Sequence, residues 1–323
     1  MKISVLLPAY NASRTIESTI KSVLSQTVSP AEFIVLDDGS TDATAEIVQR
    51  HGSRIRLIST QNQGAAAARN ALCSESSGDL LAFLDADDLW HPQHLEKHCA
   101  LATRYPEAVA SFSDHLNFVG YEDYLWEGIQ PSCEVGKLIP AFDFFQRYHK
   151  SPGPFSSMSF CTVPRSTLAR FSEAPFQANG AEDYYFFSRI PLLGPVAYTP
   201  EKTVAYRFHP ASLSSNRLRV VGIAVQVYEL LEQEYKRFPD KQFHKAFCEA
   251  FASKRRHYAK LLLGSDAVVS ARDQLRSSLW NCPSASSITK SLGLLAISYF
   301  PPKLRPRWPE NVRSEIACQA GMK

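Results

Sequence analysis

The 323-residue sequence predicts an α/β protein: a mostly parallel sheet with helices on both faces, followed by a helical C-terminal extension. Two observations carry that prediction. Over the first hundred residues, short and continuously apolar runs alternate with segments whose apolar residues recur at helical spacing, the pattern of βαβ units. From about Val220 the pattern becomes helical and more charged, with few glycines.

Ile3–Leu7 reads as the first strand, ended by Pro8. Ser13 or Thr15 is placed to cap the next helix, where Ile16, Ile20, Val23 and Leu24 fall at helical spacing. Phe33–Leu36 is the second strand, stopped by Asp37-Asp38-Gly39-Ser40, and Thr41 or Asp42 opens a helix through Ile47 and Val48. Ile55–Ile58 is the third strand. Gly64 starts an alanine-rich helix over Ala65–Ala71. Leu80–Leu84 is the fourth strand, ended by Asp85-Ala86-Asp87-Asp88. Pro92 stands where a proline opens a helix, and that helix runs to about Arg104. Strands with so little polar alternation are covered on both faces. The middle third, about 106–218, differs. Its short β-like runs (Val109–Phe112, Met158–Val163, Val204–Phe208) lie between Pro, Gly and aromatic stretches, which suggests a mixed sheet with loops.

Right-handed crossovers bring the loops that follow parallel strands to one edge of the sheet, where open α/β sheets bind ligands. Asn11, Asp37, Asp38, Asp85, Asp87 and Asp88 are therefore expected together. Crowded carboxylates repel unless something positive stands among them. Asp42 and Asp88 read as capping or turn residues. Asp38 with Asp85-Ala86-Asp87 reads otherwise, because two strands end in acidic clusters where one capping residue each would do. A hard divalent cation, held by one or two carboxylates and sharing its other positions with phosphates, resolves the repulsion. The edge thus suggests a metal with a nucleotide diphosphate.

The residues at these positions resemble a known family. Val5-Leu6-Leu7-Pro8-Ala9-Tyr10-Asn11-Ala12, Ser25-Gln26-Thr27 and Val35-Leu36-Asp37-Asp38-Gly39-Ser40-Thr41-Asp42 come first. Asn62-Gln63-Gly64 with Arg69-Asn70, Phe83-Leu84-Asp85-Ala86-Asp87-Asp88 with Pro92, and Gly180-Ala181-Glu182-Asp183 with Arg189 follow. Tyr206-Arg207-Phe208-His209-Pro210 with Ser212 and Ser214 closes the series. In order and spacing they resemble the motifs of family 2 glycosyltransferases, including the DxD motif, over about residues 1–215. The resemblance implies a Rossmann-like GT-A fold over 1–218, with a nucleotide-sugar-binding half (1–105) and an acceptor-binding half (106–218). Residues 219–323 then form the helical extension.

The resemblance also implies roles. Pro8, Ala9, Tyr10 and Asn11 would hold the nucleotide base with Asp38, whose carboxylate would accept from a uracil ring N–H. Gly64, Arg69 and Ala86 would belong to the donor side. Asp85 would contact the ribose or help hold the metal. Asp87 would bind Mg2+ or Mn2+ bridging the diphosphate, with His209 as a further contact. Asp183 would be the general base, with Glu182 and Trp126 on the acceptor side. A single base opposite one leaving group gives inversion; retention would need a second carboxylate as nucleophile, and the sequence offers no candidate. Glu182 and Asp183 compete for the base role, and the family pattern favours Asp183. The pair also suits the opening of a helix over Tyr184–Ile190, with acid near the positive dipole end. The Gln-x-x-Arg-Trp motif of processive synthases is absent, because Arg307-Trp308 lacks the glutamine. One sugar is therefore expected per encounter, moved from a UDP-sugar to a glycan or lipid-linked acceptor in surface polysaccharide biosynthesis. The alternative is a non-catalytic nucleotide-sugar-binding or scaffold protein. A dehydrogenase would need a glycine-rich loop where Pro8-Ala9-Tyr10-Asn11 stands.

Other features keep a plainer reading beside the functional one. His91, His94 and His98 could ligate a metal, but a solvated helix face is favoured. Cys161 reads as a core thiol. Arg69 is a phosphate or carboxylate partner in the cleft, or a surface cation. Residues 254–260 and Leu292–Arg307 suit an anionic membrane surface, or a helical cap with a solvated basic face. Lys+Arg of 35 against Asp+Glu of 32 gives no case for nucleic acid. Seven scattered cysteines without a CxxC pair argue against a zinc ribbon or disulfide framework and suit a reducing compartment. No run approaches the roughly 20 apolar residues of a membrane span, and the N-terminal apolar run is too short for a signal peptide. The expectation is a cytoplasmic protein, at the inner face of the cell membrane if the C-terminal segment contacts lipid, and a homodimer if the helical tail pairs with a copy of itself.

Overall fold

The computed structural model describes residues 1–121, 124, 126, 136–151, 153–178, 180–208, 216–281 and 284–306. The chain divides into two compact units, Met1–Pro210 and Ala211–Lys323.

The first unit opens as β1 (Ile3–Ala9), α1 (Ile16–Leu24), β2 (Glu32–Asp37), α2 (Thr44–Gln49), β3 (Arg56–Ser59), α3 (Ala65–Glu75) and β4 (Leu80–Phe83). These four strands lie in the order β3-β2-β1-β4, and all their pairings are parallel. Ala9 pairs with Asp37, so β1 and β2 end level and their following loops start side by side. The chain continues as β5 (Leu89–Trp90), α4 (His94–Arg104), β6 (Ser111–Val119), β7 (Lys137–Ile139), α5 (Ala141–Lys150), β8 (Cys161–Pro164), α6 (Arg165–Leu168), α7 (Glu182–Arg189) and β9 (Val196–Phe208). β8 runs antiparallel between β4 and β6; β6 and β9 are parallel; β5 and β7 pair antiparallel with β9. The sheet is thus parallel in its first half and mixed in its second.

Alternation along β1 feeds two cores, one on each face of the sheet. Ile3, Val5, Leu7 and Ala9 pack with Ile16, Ile20, Val48, Trp90 and Leu95 from α1, α2, β5 and α4. Leu6 packs on the other face with Leu72, Phe83, Phe112, Phe144 and Phe186, from α3, β4, β6, α5 and α7. Each such side chain contributes about 1.5–3 kcal/mol when fully buried.

The structure departs from the sequence expectation at several points. Thr15 precedes α1 without capping it, because its hydroxyl donates to the Ala86 carbonyl at 2.8 Å. The run at 158–163 begins as a 3-10 turn over Met158–Phe160, and the strand starts only at Cys161. His94 and His98 do not lie on a solvated face. Both are buried; His94 stacks on Trp90 with ring centroids 4.2 Å apart and bonds Thr203 Oγ1, and His98 bonds Ser111 Oγ. Burial pushes the His98 imidazole down to about 3, which keeps it neutral. Cys161 is the expected core thiol.

Among the described residues, the second unit has four α-helices: α8 (Arg217–Arg237), α9 (Lys241–Gly264), α10 (Val268–Trp280) and α11 (Ala285–Ile297). Asn216, Asp240 and Ser284 cap α8, α9 and α11, each side chain accepting from a backbone N–H of the first turn. Tyr228 stacks on Phe251 and Tyr235 on Phe247, which lock α8 to α9. The basic run 254–260 is not a solvated basic face. Arg255 is buried, lies over the Phe251 ring and pairs with Glu229, and Arg256 bonds Ser287. Among the described residues no helix is long and apolar enough to cross a membrane.

Gly39, in the turn after β2, has φ +76°, and a Cβ there would stand 2.8 Å from the Asn62 backbone nitrogen. Replacing it with alanine forces a left-handed conformation and a backbone clash. Gly39→Ala should lower stability by about 2 kcal/mol, read from the urea midpoint.

Candidate active site

The first three strand-end loops are tied together by polar side chains. Asn11 adopts φ 49°, a left-handed conformation that asparagine tolerates. Its backbone N–H donates to Ser40 Oγ (2.9 Å), and its side-chain oxygen accepts from the Thr41 N–H (2.8 Å). The Asp38 N–H donates to the Ala9 carbonyl. The Asp38 carboxylate is buried and accepts from the backbone N–H groups of Gln63 (2.9 Å) and Gly64 (2.8 Å) and from Thr60 Oγ1 (3.3 Å). Pro8 is half-buried, Ala9 buried, and the Tyr10 side chain stands exposed at this edge. Asp42 takes the turn role expected of it. Burial acts to raise its carboxyl, but donors from Thr44 and Ser13 outweigh that and hold it down at about 2.

The loop after β4 carries the second acidic cluster. Asp85 pairs with Arg69 Nη2 (2.6 Å), accepts from Ser157 Oγ (3.2 Å), and donates its N–H to Ser159 Oγ (3.0 Å). The Ala86 carbonyl accepts from Thr15 and Thr19 of α1. Behind the loop lies a buried cation, Arg207 of β9. Its Nε donates to the Asp87 carbonyl (2.7 Å), its N–H to Asp88 Oδ1 (3.0 Å), and its guanidinium lies over the Phe118 ring. Asp88 is buried and serves this turn, as expected. Burial, then the charges of Asp87 and Asp85, push its carboxyl well above the usual range. Burial also raises Asp85, with Arg69 opposing it.

The third acidic element is the start of α7. Gly180 precedes it at φ +86° and donates its N–H to Glu182 Oε2 (2.9 Å). Arg69 Nη1 forms an ion pair with the same carboxylate. Arg69 therefore joins the loop after β4 to the start of α7 while almost wholly buried. Of the roles expected for it, the structure has the carboxylate partner. The next residue, Asp183, keeps a half-buried side chain whose Oδ1 accepts from the Tyr184 N–H (2.6 Å). Burial and the neighbouring Glu182 charge push the Asp183 carboxyl up to about 7, against the pull of Arg69. The Tyr206 phenol is raised by burial and by the charges of Asp88, Asp87, Asp85 and Asp183, so one ring senses both acidic elements.

The sequence-predicted residues Arg69, Asp85, Glu182 and Asp183 are thus brought together, and Ala86 and Asp87 share the same loop. Pro8, Ala9, Tyr10, Asn11, Asp38 and Gly64 form the adjoining group. Trp126 stands edge-on to His91 (5.0 Å) and Tyr124 (5.1 Å). His209 lies outside the described residues, as do Ser212 and Ser214. Sequence reasoning assigned no role to Ser157, Ser159, Tyr206 or Arg207. The last two stood inside a quoted motif; the serines carried no signal.

Among the described residues no three His, Cys, Asp or Glu side chains form a closed metal-binding group. Asp85 is partly taken up by Arg69, and the Asp87 carboxylate is half-buried in the same loop. One or two hard oxygen donors fit a Mg2+ or Mn2+ that draws its other ligands from phosphates and water.

A mixed sheet with acidic loops at the carboxyl edge of its parallel strands, followed by a helical unit, is a GT-A architecture. The chain belongs to glycosyltransferase family 2: the family model described as Glycosyl transferase family 2 matches residues 4–163. It is 31% identical over 222 residues to the Escherichia coli UDP-Glc:alpha-D-GlcNAc-diphosphoundecaprenol beta-1,3-glucosyltransferase WfgD, covering 67% of this chain and 81% of that one. In fold it is similar to S. aureus TarS 1-349 solved with UDP-GlcNAc, at TM-score 0.69 and 16% identity, covering 92% of this chain and 90% of that one. It is also similar to the mannosyltransferase PcManGT of Pyrobaculum calidifontis, solved with GDP-Man and Mn2+, at TM-score 0.59 and 18% identity, covering 99% and 84%.

Removing Arg69 takes the ion-pair partner from the buried Glu182 and the half-buried Asp85. Arg69→Met should cost about 3–5 kcal/mol by urea unfolding, and adding Glu182→Leu should recover part of that loss.

Proposed function

We propose that this glycosyltransferase is inverting and metal-dependent. It moves one sugar per encounter from a nucleotide-diphosphate sugar, most simply a UDP-sugar, to a hydroxyl of a lipid-linked or glycan acceptor in surface polysaccharide biosynthesis. One observation carries the reading. Arg69 pairs with both Asp85 and Glu182, so the metal-side loop and the base-bearing helix start lie within the reach of one side chain. WfgD, a UDP-Glc transferase to a diphosphoundecaprenol acceptor, supports a uridine nucleotide and a lipid-linked acceptor, and TarS with UDP-GlcNAc supports the nucleotide.

In this reading residues 1–105 hold the donor, 106–218 the acceptor, and 219–323 are an extension. Pro8, Ala9, Tyr10 and Asn11 line the base with Asp38, and Gly64 shapes that pocket through its bond to Asp38. Asp87, assisted by Asp85 and His209, would hold Mg2+ or Mn2+, which supplies positive charge against the leaving diphosphate. Asp183 accepts the acceptor hydroxyl proton as the new bond to the sugar C1 forms on the opposite face from the departing diphosphate. Glu182 does not compete for that proton, because Arg69 and the Gly180 N–H occupy its carboxylate. Trp126 stands on the acceptor side. The enzyme works in the cytoplasm, against the inner face of the membrane through its C-terminal segment.

The direct test is a thermal-shift panel of UDP, GDP, CDP and dTDP with and without Mn2+, on the parent and Asp87→Ala. A Mn2+-dependent shift for one nucleotide, lost in Asp87→Ala, is expected. No shift with any of them would remove the donor-site reading. Asp183→Asn should lower kcat by roughly 10²–10⁴-fold with nucleotide binding intact. A base must be deprotonated to act, and Asp183 is protonated below about 7. Turnover should therefore rise with pH and level off above about 7, falling about tenfold per pH unit on the acid side.

A further inference from the structure

Helix α11 buries serines most deeply and leaves one leucine exposed. Its buried positions are serines: Ser287 and Ser291, followed by Ser298 just past its end. Arg256 Nη1 donates to Ser287 Oγ (2.5 Å) and Ser291 Oγ (3.3 Å), and Arg272 donates to Ser298 Oγ (3.1 Å). Leu294 and Leu295 reach the small core of the unit. The exposed positions are Ala285, Ser286, Thr289 and Lys290 in its first half and Leu292, Gly293 and Ala296 in its second, followed by Tyr299 and Phe300. Leu304 in the next turn is 70% exposed, and Trp280 at the end of α10 is 91% exposed. A helix bordering only water turns its leucines inward. Here the fully buried positions are polar and satisfied by arginines, Leu294 and Leu295 are half-buried, and Leu292 faces out.

Charge is divided along the chain in the same sense. Residues 211–323 carry 18 Lys and Arg against 9 Asp and Glu, whereas residues 1–210 carry 17 against 23. Lys290 and Lys303 are exposed on the elements that carry the apolar residues, as is Arg276, which pairs with the exposed Asp273 (3.5 Å), and the Arg272 guanidinium lies 3.8 Å from the Tyr299 ring centroid.

We infer that the outward face of α11 with the 299–304 turn is a docking surface for an anionic lipid bilayer. Apolar and aromatic side chains bordered by cations suit a leaflet, where the apolar groups enter the acyl boundary and the cations meet lipid phosphates. A second copy of the chain is the poorer occupant, because it would bring the same positive unit against this one. The inference rests on the proposed membrane contact of the C-terminal segment and deepens it by naming the side chains that make it. It involves no sugar chemistry, so it stands or falls apart from the donor reading.

The test is co-sedimentation of the full chain with vesicles of phosphatidylcholine alone or with phosphatidylglycerol added. Binding only to the anionic vesicles, weakened by salt, is expected. Lys290→Ala should weaken it roughly fivefold. The triple variant Leu292→Ser, Phe300→Ser, Leu304→Ser should weaken it more than about tenfold. All of these positions are exposed, so both variants should keep the parent Tm. Equal binding to the two lipids, or unchanged binding by the triple variant, overturns the inference. So does a dimer that the triple variant dissociates while no vesicle binds, which would assign the face to a second copy.

Discussion

The arrangement of the site depends on one buried guanidinium. Arg69 comes from a helix after the third strand, Asp85 from the loop after the fourth, and Glu182 from a helix start more than a hundred residues later. Nothing in local propensity brings these three together; the sheet does. Once together, they satisfy the demand that a buried charge be paired. The neighbours Asp87 and Asp183 inherit their positions from that pairing. Arg69 touches neither bond expected to change in the reaction, yet it holds the backbone that carries both acids.

Charge crowding follows from that constraint. One cation stands among Asp85, Glu182 and Asp183, and the carboxylates outnumber it. Desolvation and mutual repulsion then lift Asp85, Asp88 and Asp183 above the usual carboxylate range. Arg207 braces the same loop from behind, its backbone N–H donating to the Asp88 carboxylate and its Nε to the Asp87 carbonyl. The two arginines differ in reach. Arg69 spans loops distant in sequence, while Arg207 pins one tight turn.

Much of this was legible in the sequence, for physical reasons. Strands β1, β2 and β4 are buried on both faces, so their apolar runs are unbroken and their ends are marked by Pro8, Asp37 and Asp85. Parallel topology then dictated that the loops meet. The middle third was harder. α5 reads as an aromatic stretch, although its buried Phe144, Phe145 and Tyr148 fall at helical spacing with Asp143 in the first turn and Arg147 and Lys150 in the last; the aromatic bias of the segment masks that signal. His94 and His98 invited a surface reading, since their burial depends on Thr203 and Ser111, which lie on other strands. The inward turn of Arg255 and Arg256 had the same cause: their partners are on α8 and α11. Residues whose environment is supplied by distant segments cannot be placed by periodicity.

The bonds from Asn11 to Ser40 and Thr41, and from Asp38 to Gln63 and Gly64, make three strand-end loops into one rigid platform. A pocket built this way has little ordering left to do when a ligand arrives. It also separates shape from selectivity. The hydrogen bonds that hold the platform run mainly through backbone groups and short polar side chains, while the exposed Tyr10 side chain carries no share of them. If this edge holds the donor as proposed, preference among bases can drift by exchange of such rim side chains, with the framework beneath them unchanged.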